Sequence, residues 1–74
     1  MRYTPPETLT AIGALVRARR QSLDVRIETM SKKLQVTSDQ YRRMERGNYA
    51  LSVTKLLDIC NLLDCDVREL LPND

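Results

Sequence analysis

The side chains with the most evident chemistry are the arginines of one short segment, "TSDQYRRMERGNYA", which runs from Thr37 to Ala50. Arg42, Arg43 and Arg46 lie there between a threonine suited to starting a helix and a glycine suited to ending one. A guanidinium group stays charged and donates paired hydrogen bonds that match a phosphate or the edge of a guanine. The segment therefore indicates either a structural helix with a charged face or an element that binds an anionic partner.

Residue types that serve catalysis or metal binding are scarce. There is no histidine, and the spacing of the two cysteines, Cys60 and Cys65, fits neither Cys-x-x-Cys nor a four-ligand zinc set. Both lie among leucines, which is typical of cysteines that pack in a core; a redox or metal role is the alternative. No glycine-rich phosphate loop and no cluster of carboxylates stands out. We therefore expect no enzyme, no metal and no cofactor.

Charge is distributed unevenly along the chain. The first 46 residues carry ten basic and five acidic side chains, whereas the last 28 carry two basic and five acidic ones. This asymmetry favours a basic face for a polyanion, although chance clustering on a solvated surface gives the same composition. Three tyrosines make up the aromatic content, which is little for a surface that stacks single-stranded bases.

The length of 74 residues predicts one domain, spanning residues 1–74. A chain this short buries only about 60% of its unfolded surface, so we expect a second copy of the chain to supplement the core. No apolar run suits a signal peptide or a membrane span. The sequence therefore predicts a cytoplasmic protein with no membrane partner.

Helical patterns recur along the chain, and no segment has a convincing strand pattern. The "TPPE" of Thr4–Glu7 can start a first helix that fades near residues 21–23. A second helix has apolar residues at helical spacing: Ile27, Met30 and Leu34. Arg26 is a poor residue for its N-cap position, so we expect Asp24 to cap this helix instead.

The third helix carries clear start and stop signals. Thr37 and Gln40 form a capping box, and Gly47 supplies the stop. Tyr41 and Met44 mark the face that points inward.

The last two helices are predicted in the same way. Ser52 can cap a fourth helix, and Asp66 with Glu69 opens a short fifth one that Pro72 helps to end. Five helices with tight connections indicate an all-α domain.

The segment "IETMSKKLQVTSDQYRRMERGN" resembles the helix-turn-helix of the Cro/C1-type family, the lambda repressor-like or XRE-type DNA-binding domains of bacterial and phage regulators. Its ending "MERGN" is close to the Glu-Arg-Gly of that family. Upstream, "IGALVRARR" is similar to the family's first helix, and "LSVTKLLDICNLLDCDVRELL" to its fourth and fifth. The resemblance covers Leu9 to Leu71 and implies a compact five-helix domain with the helix-turn-helix at about residues 27–46.

Four positions depart from the family pattern. Ser31 replaces a small alanine and is still small enough for two helices to cross closely. Gln35 replaces the turn glycine and must accept a strained turn conformation. Arg26 and Ile27 replace a Ser-Gln pair that caps the second helix and touches phosphate, and Ile27 cannot make that hydrogen bond.

The resemblance implies that the third helix, about Ser38 to Arg46, is a recognition helix in the major groove. The residues implied to read bases are Ser38, Asp39, Arg42 and Arg43. Asp39 could accept a hydrogen bond from a cytosine or only complement the helix N-terminus, and Arg42 could contact base or phosphate. The residues implied to contact phosphate are Arg26, Lys32, Thr37, Arg46, Asn48 and Tyr49. For Lys32 a solvated helix face is the alternative.

Two further sets of residues are implied to have structural roles. Arg20 and Glu45 match positions where the family joins its first helix to the recognition helix by an ion pair. Val67, Leu70 and Leu71 resemble the dimer surface of small repressors, with closure of the monomer core as the alternative.

The combined prediction is a sequence-specific regulator of transcription, either a repressor or a Cro-like or controller protein. It would bind a palindromic operator in double-stranded DNA as a homodimer, on the nucleoid. The alternative is an antitoxin-type or other protein-interaction module that also binds its own promoter.

Overall fold

The computed structural model describes residues 6–48 and 51–71. The predicted Thr4 cap, Tyr49 and Pro72 lie outside this part of the chain. The described elements are four α-helices and one 3-10 helix: α1 (Pro6–Ser22), α2 (Ile27–Leu34), α3 (Ser38–Arg46), α4 (Val53–Leu62) and the 3-10 helix Val67–Leu70. The all-α prediction is confirmed for these residues.

The predicted count of five helices is not confirmed, because the last described element is a short 3-10 helix and not a fifth α-helix. The expected capping box of Asp66 and Glu69 is present, but only the 3-10 helix Val67–Leu70 follows it. Leu71 has an extended backbone, with φ −101° and ψ 136°, which stops the helix after four residues. So short a segment favours the tighter i→i+3 bonding of a 3-10 helix.

Local capping fixes the start of α3 and α4 as the sequence predicted. Thr37 and Gln40 exchange two side chain–backbone hydrogen bonds of 3.0 Å each. Ser52 accepts from the Lys55 N–H at 3.1 Å. Gly47 takes the left-handed conformation at the end of α3, with φ +80°. These bonds satisfy backbone groups that the helix itself leaves open.

The expected cap on α2 is absent. Arg26 holds the N-cap position and makes no side-chain capping bond, and Asp24 does not replace it. Asp24 lies too far ahead of Ile27 and has a left-handed backbone with φ +56°, whereas an N-cap residue is extended and directly precedes the helix. The first backbone N–H groups of α2 are therefore left without a side-chain cap.

The core forms where α1 packs on α3, α3 packs on α2, and α4 packs on α2. The 3-10 helix closes the core against α1 and α4. The largest fully buried side chains are Tyr41, Met30, Met44, Ile59, Leu63, Leu70 and Val16.

The buried position of Leu70 corrects the predicted dimer surface. Its side chain is only 1% exposed, so it closes the monomer core and cannot meet a partner. Val67 is partly buried against the same core. Of the three residues predicted for a dimer, only Leu71 is substantially exposed, at 39%. The 3-10 helix packs directly on α1 and α4, and Leu70 therefore points into the core.

The two cysteines are free, and Cys60 is buried in the core. Burial first, and then the neighbouring Cys65, raise the pKa of the Cys60 thiol to about 11. A thiol with this pKa stays protonated at neutral pH, and only the thiolate is a good nucleophile or metal ligand. Cys60 therefore packs as a small apolar residue.

Two basic side chains hold the ends of distant helices. Arg19 donates to the carbonyl oxygens of Leu63 and Asp64, at 3.1 and 2.9 Å, at the end of α4. Lys55 donates to the Leu34 carbonyl oxygen at 2.7 Å, at the end of α2. Helix C-termini carry partial negative charge, so both contacts are favourable. These residues serve the fold.

Gln35 adopts the strained turn that its sequence position predicted, with φ 59° and ψ 42°. A left-handed backbone costs a residue with a Cβ about 1–2 kcal/mol, a cost that glycine avoids. Replacing Gln35 by glycine would remove this strain, but part of the gain in stability is lost because glycine has more conformational freedom in the unfolded chain. We expect Gln35→Gly to raise the free energy of unfolding by about 0.5–1 kcal/mol, as measured by urea denaturation.

The matched control for this substitution is Lys33→Gly, also exposed and near the end of α2 but inside its right-handed helix. It should lower the free energy of unfolding by about 1 kcal/mol. A loss of stability in both variants would show that the Gln35 backbone is not strained.

Candidate nucleic-acid interface

One face of α3 is buried and the other carries most of its charge. Tyr41 and Met44 are buried against the core. The exposed side chains on the opposite face include three arginines: Arg42, Arg43 and Arg46. The structure therefore presents the arginines of the opening segment to solvent on a helix that is fixed from behind.

Arg43 is already oriented by a neighbour on the same helix. Its Nε lies 3.2 Å from Oδ2 of Asp39, one turn earlier, and the two side chains are 58% and 70% exposed. An exposed ion pair of this kind is worth only about 0–1 kcal/mol. A partner that offers the guanidinium a better acceptor can therefore displace Asp39.

The two hydroxyl groups at the start of α3 have local contacts. Thr37 is occupied by its capping bond from the Gln40 N–H. Ser38 is half-buried, and its hydroxyl lies 3.4 Å from that of buried Ser31, where α2 crosses α3. Ser31 also donates to the Glu28 carbonyl oxygen at 3.0 Å. The crossing is close because both of these residues are small.

A buried ion pair joins α3 to α1. Arg20 Nε and Glu45 Oε2 are 2.7 Å apart, and the side chains are only 10% and 7% exposed. A second bond of 3.3 Å links Nη2 to Oε1, and Nη1 donates to the Val25 carbonyl oxygen at 2.9 Å. The hydrogen bond to Glu45 raises the pKa of Arg20 more than burial lowers it. Arg20 therefore stays charged, and its hydrogen bonds to Glu45 fix the orientation of α3 against α1.

The Tyr41 hydroxyl is buried beside this ion pair without a hydrogen bond to another described residue. Burial first, and then the nearby Glu45 carboxylate, raise the pKa of the tyrosine far above its usual value. Tyr41 is therefore neutral and acts as a core residue.

A groove of about 250 Å³ opens where α1, the start of α2 and α3 meet. Its lining residues are Arg17, Arg20, Ile27, Arg42, Glu45 and Arg46. Arg42 thus lies on the groove side of α3. The sequence analysis did not single out Arg17, although a position three residues before Arg20 lies on the same face of a helix.

The other described residues predicted to contact phosphate are exposed. Arg26 and Lys32 are exposed at the start and on the surface of α2, and Asn48 is exposed after Gly47. Arg46 lines the groove. The structure exposes these side chains to solvent, while their contact with phosphate stays a prediction.

The described residues include no group of three or more His, Cys, Asp or Glu that could hold a metal ion. Among the helices in this part of the chain, none has the length and apolar character to cross a membrane.

A comparison with protein families shows which family this chain belongs to. A family model described as a helix-turn-helix domain matches residues 11–72. The chain belongs to the helix-turn-helix family. Within the matched region, α2 and α3 are joined by a short turn at Gln35, and the exposed arginines lie on α3.

Solved structures place this helix-turn-helix domain among XRE-like, Cro/C1-type DNA-binding domains, which confirms the resemblance seen in the sequence. The DNA-binding domain of BldD is 27% identical with a TM-score of 0.82, over 93% of this chain and 100% of that one. The restriction-modification controller protein C.AhdI from Aeromonas hydrophila is 25% identical with a TM-score of 0.78, over 85% of this chain and 96% of that one.

A more distant structure shares the fold alone. The clp gene regulator ClgR from Corynebacterium glutamicum is 24% identical with a TM-score of 0.81, over 85% of this chain and 67% of that one. No curated protein sequence matches the chain. The family and the solved structures thus identify a DNA-binding helix-turn-helix of the type found in transcription regulators.

Proposed function

We propose that residues 1–74 form one DNA-binding domain of a transcription regulator, and that this domain binds a palindromic operator in double-stranded DNA as a homodimer. The observation that carries this proposal is the arginine face of α3, which the buried Arg20–Glu45 pair holds rigidly against α1. A preset orientation lowers the entropy lost on binding. The BldD and C.AhdI structures support a role on DNA, since their descriptions name a DNA-binding domain and a controller protein.

In this proposal α3 enters the major groove, and some side chains contact bases while others contact phosphate. Arg43 leaves Asp39 to bind guanine O6 and N7, and Ser38 and Asp39 lie at the end of α3 that approaches the bases first. Asp39 either accepts from a cytosine amino group or serves to orient Arg43. The phosphate contacts come from Arg26, Lys32, Thr37, Arg46, Asn48 and Tyr49.

The dimer surface proposed here differs from the one expected from the sequence, because Leu70 is buried. The large apolar side chains still exposed in the last third of the described chain are Val53 at 75%, Leu57 at 47% and Leu71 at 39%. Val53 and Leu57 are four residues apart on α4 and so share one face of that helix. We place the contact between two copies on this face.

The experiment that tests the proposal is affinity selection of random duplex DNA by the purified protein at physiological salt. We expect an enriched palindrome whose half-site centres are about 34 Å apart, one turn of DNA. Binding without any enriched sequence, sensitive to salt alone, would contradict a sequence-specific regulator. It would favour the alternative of an antitoxin-type or other protein-interaction module.

Arg43 is the residue on which sequence reading should depend most. We expect Arg43→Ala to lose about 1–3 kcal/mol of binding free energy on the selected operator and to relax specificity at one base step. The measurement is affinity for the operator and for variants changed at each position. Arg68→Ala is the control, because its side chain is 86% exposed on the distant 3-10 helix. An equal loss on every sequence would assign Arg43 to phosphate.

Leu57 should control self-association. We expect Leu57→Lys to shift the protein toward monomer in sedimentation equilibrium, because a charge replaces apolar area in the contact. Leu23→Lys is a matched control, since Leu23 is 44% exposed but lies just after α1. If both variants dimerise as the unmodified protein does, the α4 face is not the interface.

A further inference from the structure

The end of α4 brings the two cysteines of the chain together in one helix cap. The Cys65 N–H donates to the Cys60 carbonyl oxygen at 3.0 Å. The Asp64 N–H donates to the Asn61 carbonyl oxygen at 3.4 Å, and Asp64 has a left-handed backbone with φ 50°. These features define a Schellman motif, in which the side chains at the positions of Cys60 and Cys65 commonly pack against each other.

The two thiol groups are neighbours, but they differ in exposure. Cys60 is 5% exposed and belongs to the core, whereas Cys65 is partly exposed and packs against that core. Burial first, and then contact with the Cys65 thiol, raise the pKa of the Cys60 thiol. Both cysteines are free. The cap therefore contains a reduced dithiol, with one sulfur accessible and the other behind it.

A disulfide between these residues needs little movement of the backbone. Two residues joined by a backbone hydrogen bond have neighbouring Cα atoms, and a disulfide spans a Cα separation of roughly 4.4–6.8 Å. Rotation of the side chains is then enough to bring the sulfur atoms to bonding distance. The cap itself does not require sulfur, because α2 ends in the same motif with Ser31 and Val36 at the equivalent positions.

We propose that Cys60 and Cys65 are a redox-sensitive pair, which hydrogen peroxide converts into an intrachain disulfide that locks the end of α4. The cross-link ties the last turn of α4 to the start of the 3-10 helix, which closes the core through Leu70. Between the two cysteines, the Asp64 carbonyl oxygen accepts from Arg19 of α1 at 2.9 Å. The disulfide thus holds the junction of three elements, and the inference does not depend on DNA binding.

The oxidation takes two steps, and burial fixes their order. The accessible Cys65 loses its proton to water, and its sulfur attacks one oxygen of the peroxide. The O–O bond breaks, hydroxide leaves and takes up a proton to become water, and Cys65 becomes a sulfenic acid.

In the second step the Cys60 sulfur attacks the Cys65 sulfur. The S–O bond breaks, and the leaving hydroxide takes the proton of the Cys60 thiol and becomes water. In total, two thiols are oxidised by two electrons to one disulfide, and one hydrogen peroxide is reduced to two waters.

The first test identifies the product by peptide mapping. The reduced protein is treated with hydrogen peroxide, and the remaining thiols are blocked. Trypsin then cleaves after Lys55 and Arg68 and releases peptide 56–68, which contains both cysteines and no methionine. We expect this single peptide to lose two hydrogen atoms and to regain them with dithiothreitol. Two linked copies of the peptide, oxygen added to both sulfurs, or unreacted thiols would each overturn the proposal.

Two variants test the order of the steps. Cys65→Val keeps an apolar side chain in the cap, since valine holds the equivalent position at the end of α2. We expect the buried Cys60 of this variant to resist peroxide. Cys60→Ala should instead accumulate the sulfenic acid on Cys65, which dimedone traps. If Cys60 alone reacts as fast as Cys65 alone, burial does not set the order and the proposed pair is wrong.

The third test measures the lock by urea denaturation. We expect the oxidised protein to unfold at a higher urea concentration than the reduced protein, because the cross-link restricts the unfolded chain. Cys65→Val treated with the same peroxide is the control for oxidation elsewhere, and it should show no such increase. An unchanged or lower midpoint in the oxidised protein would show that the disulfide strains the cap, which contradicts a lock.

Discussion

Glu45→Ala is expected to lower the free energy of unfolding by about 3–5 kcal/mol, because it leaves the Arg20 guanidinium charged and unpaired inside the protein. Both partners are at most 10% exposed, and Arg20 also holds the Val25 carbonyl oxygen between α1 and α2. A domain of 74 residues has a total stability of only about 4–11 kcal/mol. The variant should therefore lose a large share of its stability and unfold at a much lower urea concentration than the unmodified protein.

The measurement is urea denaturation followed by circular dichroism, with Asp39→Ala as the control. Asp39 forms the exposed pair with Arg43 at 3.2 Å, so its removal should cost less than about 1 kcal/mol. Replacing both buried partners by methionine should recover much of the stability, because no isolated charge is left. Equal costs for the buried and exposed pairs would show that Arg20–Glu45 does not hold the helices together.

Gly13→Ala is the second change with a large expected effect. Whether it lowers or raises the free energy of unfolding shows whether packing or helix propensity is the larger effect at this position. Gly13 lies in α1, where alanine is intrinsically better by about 1 kcal/mol. A Cβ at this position would lie 2.7 Å from the Met44 carbonyl oxygen and as close to the backbone of Glu45. Backbone atoms cannot move aside cheaply, so α1 and α3 would have to separate.

We expect Gly13→Ala to lower the free energy of unfolding by more than about 2 kcal/mol. Overpacking usually costs about 1–3 kcal/mol, and here it also strains the Arg20–Glu45 ion pair. Operator affinity should fall as well, because Gly13 sets the distance between α1 and α3, the helix proposed to enter the major groove. Thermal unfolding and DNA binding measure the two effects. The control, Ala18→Gly at an exposed position of α1, should lose about 1 kcal/mol with little change in affinity. A more stable Gly13→Ala variant would show that the helices are not in close contact.

Most helix boundaries followed from the sequence, because the interactions that decide them are local. The N-caps of α3 and α4 are hydrogen bonds between residues three apart, Thr37 with Gln40 and Ser52 with Lys55. The C-cap of α3 depends on Gly47 alone. Such short patterns give the same cap in most contexts. The inward direction of Tyr41 and Met44 followed from helical spacing alone. The helix-turn-helix was indicated by the resemblance of the segment "IETMSKKLQVTSDQYRRMERGN" to the Cro/C1-type family.

Charged and apolar residues near element ends were harder to assign, because their roles depend on distant neighbours. Arg19 is one of several arginines in the basic half of the sequence, but it bonds to the Leu63 carbonyl oxygen 44 residues away. Lys55 reaches back 21 residues to Leu34. A long basic side chain has the same sequence signature whether it holds a helix end or faces solvent.

The sequence by itself determined which helix presents arginines and how that helix begins and ends. Only the tertiary structure decided that Leu70 is buried, that the last helix is a 3-10 helix, and that Arg17 shares a groove with Arg42. The physical reason is that burial and convergence of charge depend on how whole helices pack, whereas capping and helical period depend on adjacent residues.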